Sequence, residues 1–339
     1  MVNAICIILP LVFMGIATFY TDSKSDTGFF DIGSTTCMRG LWCIVILLVH
    51  IPSDYQNFIQ DMIGSFAYIG VTFFFMTSSY GLVLAAKNKP EKVIKGFWKR
   101  RLPKLLVPMV LVNVARVFAK LYADKEFLPL QFLGITGFVK QLLFFYLVFW
   151  IIFKILPKKT SWNLKCSILC VCVIVFSITI YFLDIGWPVE SFGFIYGVIL
   201  ANAKEVFLAK TKNKWLLKSG LLCAASLILG ITYLKFKEVV FAGDYLIKLA
   251  LGFAILLFIL FLTAKLKFGN KISHFLGEIS YEIYLIHDVV FIILAAVYPQ
   301  MDSGIFIVLS VVISVITSVI INKLSKIILG LGRKSGIMG

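Results

Sequence analysis

An all-α fold, a polytopic transmembrane helix bundle of about 10–11 helices, follows from three observations. Hydrophobic residues make up 60% of the 339-residue chain and charged residues only 15%, where soluble domains carry about a quarter charged. Apolar runs long enough to cross a ~30 Å hydrocarbon core recur along the whole length, which selects helices over a barrel. Finally, the connections between those runs alternate between rich and poor in lysine and arginine.

The runs are taken in order. A first span at about 3–20 is read as a retained helix rather than a signal peptide. Met1-Val2-Asn3 carries no positive side chain, and Thr18-Phe19-Tyr20 is a poor cleavage site. The next spans are about 40–60, which holds His50, and 64–86. A lysine-rich loop and Pro103 and Pro108 lead into 105–122, followed by 138–156 and the cysteine-bearing 166–183. The run 190–203 is short and carries Gly193 and Gly197. Spans at about 217–234, 245–264, 274–299 and 304–322 complete eleven. The chain divides into an extra N-terminal helix and linker over 1–30, one membrane domain over 31–325 and a basic tail over 326–339.

Connections 21–39, 87–104, 157–165, 204–218, 265–273 and 323–339 hold 25 of the 33 basic residues. The alternate connections hold only Lys125, Lys235 and Lys237. The positive-inside rule assigns the first set to the cytoplasm. The expectation is a multi-pass plasma-membrane protein with its N-terminus outside and its C-terminus cytoplasmic. The net charge of +16 is thereby read as topology and contact with the lipid bilayer, not nucleic-acid binding. Seven cysteines include no CxxC pair; they read as small buried hydrophobes, and no metal is expected.

Polar residues inside apolar spans are costly and mark function. Arg39 and His50 are eleven residues apart, which brings them onto one helical face. With Arg39 at the membrane surface, His50 is expected near the membrane midplane, about 16 Å deeper. Ser280, Tyr284 and His287 are spaced i, i+4, i+7 and form one polar stripe, with His287 at a depth comparable to His50. Asp288 points about 100° away and suits capping or pairing with a neighbouring helix. His274 reads as a surface residue. Lys99, Arg100 and Arg101 are the part of the first basic loop expected to bind a phosphorylated cosubstrate.

These residues resemble a known family. Arg39-x10-His50 is similar to the first-helix motif of the acyltransferase-3 family of integral membrane acyltransferases, which act on surface polysaccharide. Gly70 to Tyr80 is similar to its Gly-Val-Asp-x-Phe-Phe helix, with Thr72 where Asp is common and Ser79 where Gly is common. Phe97-x-Lys99-Arg100-Arg101-Leu102-x-Lys104, followed by Pro108, resembles its basic loop. The family's usual Trp-Phe pair is present only as Phe144-Phe145. Trp187 to Gly197, with Phe194, is similar to an aromatic-Gly element. Gly277-x2-Ser280-Tyr281-x2-Tyr284-Leu285-x-His287 matches its late-helix signature. The resemblance covers about residues 32–325.

What the resemblance implies is transfer of an acyl group, usually acetyl, from cytoplasmic acyl-CoA as cosubstrate to a hydroxyl of a cell-surface glycan or lipid-linked sugar acceptor. Arg39, Lys99, Arg100 and Arg101 are then expected to hold the CoA phosphates. His50 is the expected general base or acyl-carrying nucleophile. Tyr284 or Ser280 is the expected oxyanion donor, and His287 an orienting or second proton-transfer group. A transporter or flippase of a small solute or lipid-linked sugar, or a catalytically decayed sensor or scaffold, remains open on composition alone. The oligomeric state is open too.

Overall fold

The computed structural model describes residues 28–56, 64–157, 159–266 and 268–334. The expected span at 3–20 lies outside them. Helix α1 covers Ile32–Val49. It begins earlier than expected because Asp31 caps it, accepting the Ser34 amide at 2.8 Å. Thr35 Oγ1 donates to the Asp31 carbonyl at 2.7 Å, so a polar first turn is satisfied within the helix. The helix stops at His50 ahead of Ile51-Pro52, since proline disfavours helix at the residue before it.

Helices α2 (Tyr68–Asn88), the short α3 (Pro90–Ile94), α4 (Phe97–Ala123), α5 (Gly137–Ile155) and α6 (Trp162–Phe182) follow. Gly96 turns the chain into α4 with φ of 72°, a conformation glycine adopts without a Cβ penalty. Helix α7 runs over Phe192–Lys212, longer than the short 190–203 span expected. Its glycines do not weaken it: a Cβ at Gly193 would meet the Thr72 backbone, and one at Gly197 the Met76 carbonyl. They let α7 lie directly on α2, the most extensive helix pair among the described residues.

Next come α8 (Trp215–Phe236) and, after a π turn at Ala242–Ile247, α9 (Lys248–Thr263). The expected 274–299 span is two helices, α10 (Lys271–Glu278) and α11 (Ser280–Val297), broken at Ile279. Helix α12 covers Ser303–Lys334, longer than the expected 304–322 span. Ten helices among the described residues are long and apolar enough to cross a membrane, and no described residue is in a strand. The chain is a multi-pass integral membrane protein. Following the ten spans in order gathers the lysine-rich connections at one end, here the basic end, opposite the far end.

Candidate functional site

Helix α1 is held against α10 by a glycine on each helix, Gly40 and Gly277. A Cβ on Gly40 would stand 2.5 Å from the Ser273 carbonyl oxygen and 2.7 Å from the Gly277 nitrogen. A Cβ on Gly277 would meet the Thr36 carbonyl. Helix α1 therefore packs backbone to backbone on α10, which places Arg39 against the start of α11.

Arg39 lines a cavity of about 270 Å³ between α1, α2, α4, α5 and α11. It sits about 10 Å into α1 rather than at the helix start. Its Nη2 donates to Thr36 Oγ1 at 3.1 Å. Its Nε is buried without a hydrogen-bond partner among the described residues. Arg101 and Lys104 line the same cavity, and no described acidic residue does. Arg101 Nη1 donates to Tyr146 Oη at 3.3 Å, with its guanidinium over the Phe97 and Tyr146 rings at 5.2 and 5.0 Å. Three cations with no carboxylate among the described lining residues make the chamber a trap for an anion.

Ser280 and Tyr284 line the chamber, but His50 and His287 do not. The two imidazoles lie just beyond it, with ring centroids 5.0 Å apart. Tyr284 bridges the two regions: it borders the chamber and its ring is 6.0 Å from that of His287. His287 is buried, and Phe291 closes its other side at 5.5 Å. His50 is the residue directly after α1 and is exposed, with its ring beside that of His287 in the middle of α11. The expected match in depth between the two histidines holds, and their rings face each other.

Each imidazole is oriented by its own helix. His50 Nδ1 is 2.7 Å from the Ile46 carbonyl and His287 Nδ1 is 3.2 Å from that of Ile283. A carbonyl oxygen only accepts, so each Nδ1 carries its hydrogen, and a neutral ring keeps its Nε2 lone pair for another proton. Ile46 also lines the chamber, so the residue whose carbonyl orients His50 is part of the chamber wall. Ser280 Oγ donates to the Gly277 carbonyl at 2.8 Å, which commits its hydrogen locally. Tyr281 Oη donates to the Leu105 carbonyl at 2.8 Å and ties α11 to α4.

The basic triplet separates into three environments. Only Arg101 reaches the chamber. Arg100 donates to the carbonyls of Lys92, Val93 (3.1 Å) and Lys95 (2.8 Å), so it braces the turn between α3 and α4. Lys99 lines a separate, larger hollow at the basic end. His274 is exposed, as expected of a surface residue.

Asp288 pairs with a neighbouring helix: Arg116 Nη2 is 2.8 Å from Asp288 Oδ2. Arg116 also donates to Asn113 Oδ1 at 3.0 Å, and Asn113 Nδ2 to the Gly134 carbonyl at 2.7 Å. Sequence reading singled out Lys104 and Arg116 for no site. A lone arginine inside an apolar span was a usable signal for the second. Among the described residues no cluster of three histidine, cysteine or acidic side chains could hold a metal ion.

Thr72 and Ser79 sit in the α2–α7 seam and are not part of the chamber wall. Their hydroxyls donate to the carbonyls of Tyr68 (2.8 Å) and Met76 (3.1 Å).

Fold and site together define a membrane-embedded helical protein whose cationic chamber leads to a pair of facing imidazoles. The chain belongs to the acyltransferase-3 family: the family's model, an acyltransferase domain, matches residues 32–323. It is a membrane acyltransferase. No curated protein and no solved structure matches it.

Proposed function

We propose that the protein moves an acyl group, most simply acetyl, from acyl-CoA at the basic, cytoplasmic end to a hydroxyl of a cell-surface or lipid-linked glycan presented at the far end in the plasma membrane. The observation that carries this reading is the chamber itself. Three cations with no described acid beside them line a cavity whose wall includes Tyr284, with its ring 6.0 Å from that of His287. Such a chamber attracts a phosphorylated thioester from the side where its cations lie.

In this reading Arg39 and Arg101 hold anionic groups of the donor arm. His50, the exposed member of the imidazole pair, takes the acceptor's hydroxyl proton at Nε2. The acceptor oxygen attacks the thioester carbonyl, the C–S bond breaks, and the CoA sulfur leaves as thiolate and takes up one proton. The transfer is thus proton-neutral overall. His287, 5.0 Å away, is placed to share the proton. Tyr284 is the donor nearest the chamber for the oxyanion, because Ser280 has committed its hydrogen to Gly277. Purified protein incubated with radiolabelled acetyl-CoA and a surface-glycan extract should transfer label to the glycan. Transport of a sugar without any acyl transfer would overturn the reading in favour of a carrier.

A further inference from the structure

The hollow at the basic end is distinct from the inner chamber. It has a volume of about 1020 Å³ and lies between α3, the start of α4, the end of α5 and the start of α6. Among the described residues four lysines line it, Lys95, Lys99, Lys154 and Lys165, with one acid, Glu91. None of the four forms an ion pair with a described carboxylate. Lys165 is 9% exposed, and among the described residues its Nζ makes one long 3.5 Å hydrogen bond, to the Leu156 carbonyl. Lys154 Nζ stands 4.2 Å over the Trp150 ring. The floor is aromatic, with Trp98 6.2 Å from Trp150 and Phe153 5.2 Å from Trp162. Lys165, the one buried ammonium of the four, stands 5.9 Å over the Phe153 ring, and the exposed Lys95, Lys99 and Lys154 rim the same aromatic floor. A buried cation with no described counter-ion beside aromatic rings indicates a site for an anion attached to a flat or apolar body.

Position adds the second half of the argument. The hollow is bordered on α4 by Phe97, Trp98 and Lys99, and the inner chamber by Arg101, Lys104 and Leu105. On α5 the hollow takes Trp150, Phe153 and Lys154, and the chamber takes Tyr146, Leu142 and Phe138. The two cavities therefore follow one another along the α4–α5 groove, at about 1.5 Å of axial rise per residue. The partition between them is Phe97 and Tyr146, with the Arg101 guanidinium lying over both rings.

We propose that this hollow is a phosphate site for the phosphorylated nucleotide head of the acyl donor, whose acyl-bearing arm passes Arg101 into the inner chamber. The inference rests on the acyl-transfer reading above and extends it to Lys154, Lys165 and the three tryptophans. The shared chemistry is a phosphate ester beside an aromatic floor, which an anionic phospholipid headgroup also supplies. The continuity with the chamber favours a ligand with a long arm that reaches inward.

The test uses adenosine 3′,5′-bisphosphate, which has the phosphorylated head without the arm. Its affinity for the purified full chain is measured by calorimetry in neutral detergent. The wild type should bind it. Lys154→Gln/Lys165→Gln should bind at least about tenfold more weakly, since each lysine supplies a charge-assisted contact. Lys154→Arg/Lys165→Arg should retain binding, which separates lost charge from lost folding. Equal affinity in the glutamine variant, at unchanged melting temperature, would overturn the proposal. So would a wild type that ignores the nucleotide while the glutamine variant loses phosphatidylglycerol from mixed nanodiscs, which would make the hollow a lipid site. Label transfer from acetyl-CoA is run in parallel. Lysine-dependent nucleotide binding with no transfer would remove the acyl-transfer reading and leave the site. Transfer that proceeds without lysine-dependent binding would do the reverse.

Discussion

Gly40→Ala tests whether the α1–α10 contact sets the geometry of the site. The added Cβ would stand 2.5 Å from the Ser273 carbonyl oxygen, where ordinary contact begins at 3.4 Å. It would also be 2.7 Å from the Gly277 nitrogen, so the obstruction is backbone that no rotamer change can relieve. The helices must part by about 1 Å, a distance taken directly from that shortfall. Overpacking of this kind costs about 1–3 kcal/mol. Arg39 and His50 ride on α1, whereas Ser280, Tyr284 and His287 follow α10 on α11. A ~1 Å misplacement between catalytic partners is enough to lose about 100-fold in rate. Gly81→Ala is the control, because nothing lies within 4 Å of a Cβ there. Both variants are measured for melting temperature in detergent and for label transfer from acetyl-CoA. Gly40→Ala should melt several degrees lower and lose most transfer, while Gly81→Ala matches the wild type. Equal stability and activity in the two variants would refute the claim that this contact positions the site.

His50→Ala should fold normally and lower acyl transfer by about 10²–10⁴-fold, as removal of a general base does; near-normal turnover would remove His50 from the chemistry. Arg39→Gln should mainly raise the apparent KM for acyl-CoA, about tenfold or more, because it deletes a charge facing the chamber rather than a proton carrier. Steady-state kinetics with varied donor at saturating acceptor would separate the two parameters. Asp288→Asn breaks the 2.8 Å ion pair to Arg116, but the Asp288 side chain is 47% exposed. Screening limits the expected loss to about 1 kcal/mol or less, read as a small fall in melting temperature. Gly197→Leu should prevent α7 from seating on α2 and abolish recovery of folded protein, since its Cβ already meets Ser79 and the Met76 carbonyl.

Helix number and type were legible because hydropathy and length are local properties, and a bilayer leaves the backbone few other choices. Helix ends were less legible. The start at Ile32 depends on the Asp31 cap and on threonine hydroxyls bonding back to carbonyls, so a polar turn counts as helix. The break at Ile279 and the full length of α7 depend on which backbones meet at Gly277, Gly193 and Gly197. The Arg39, His50 and His287 candidates stood out because ionisable groups are rare in apolar spans. Arg100 looked equivalent to its neighbours in sequence, yet its side chain turns back to brace the preceding turn. A run of adjacent basic residues on a helix points in directions about 100° apart, so it cannot serve one site.

The amino-acid sequence by itself determined that this chain is a bundle of membrane-crossing helices and which spans carry ionisable groups, because both follow from short-range composition and period. It also carried the motifs of the acyltransferase-3 family. Only the tertiary structure decided that His50 and His287 face each other at 5.0 Å. Only there do Arg39, Arg101 and Lys104 surround one chamber while Lys99 belongs to another cavity. The reason is physical: these residues come from helices far apart in the chain, and their meeting depends on backbone-to-backbone packing at a few glycines, which no local pattern encodes.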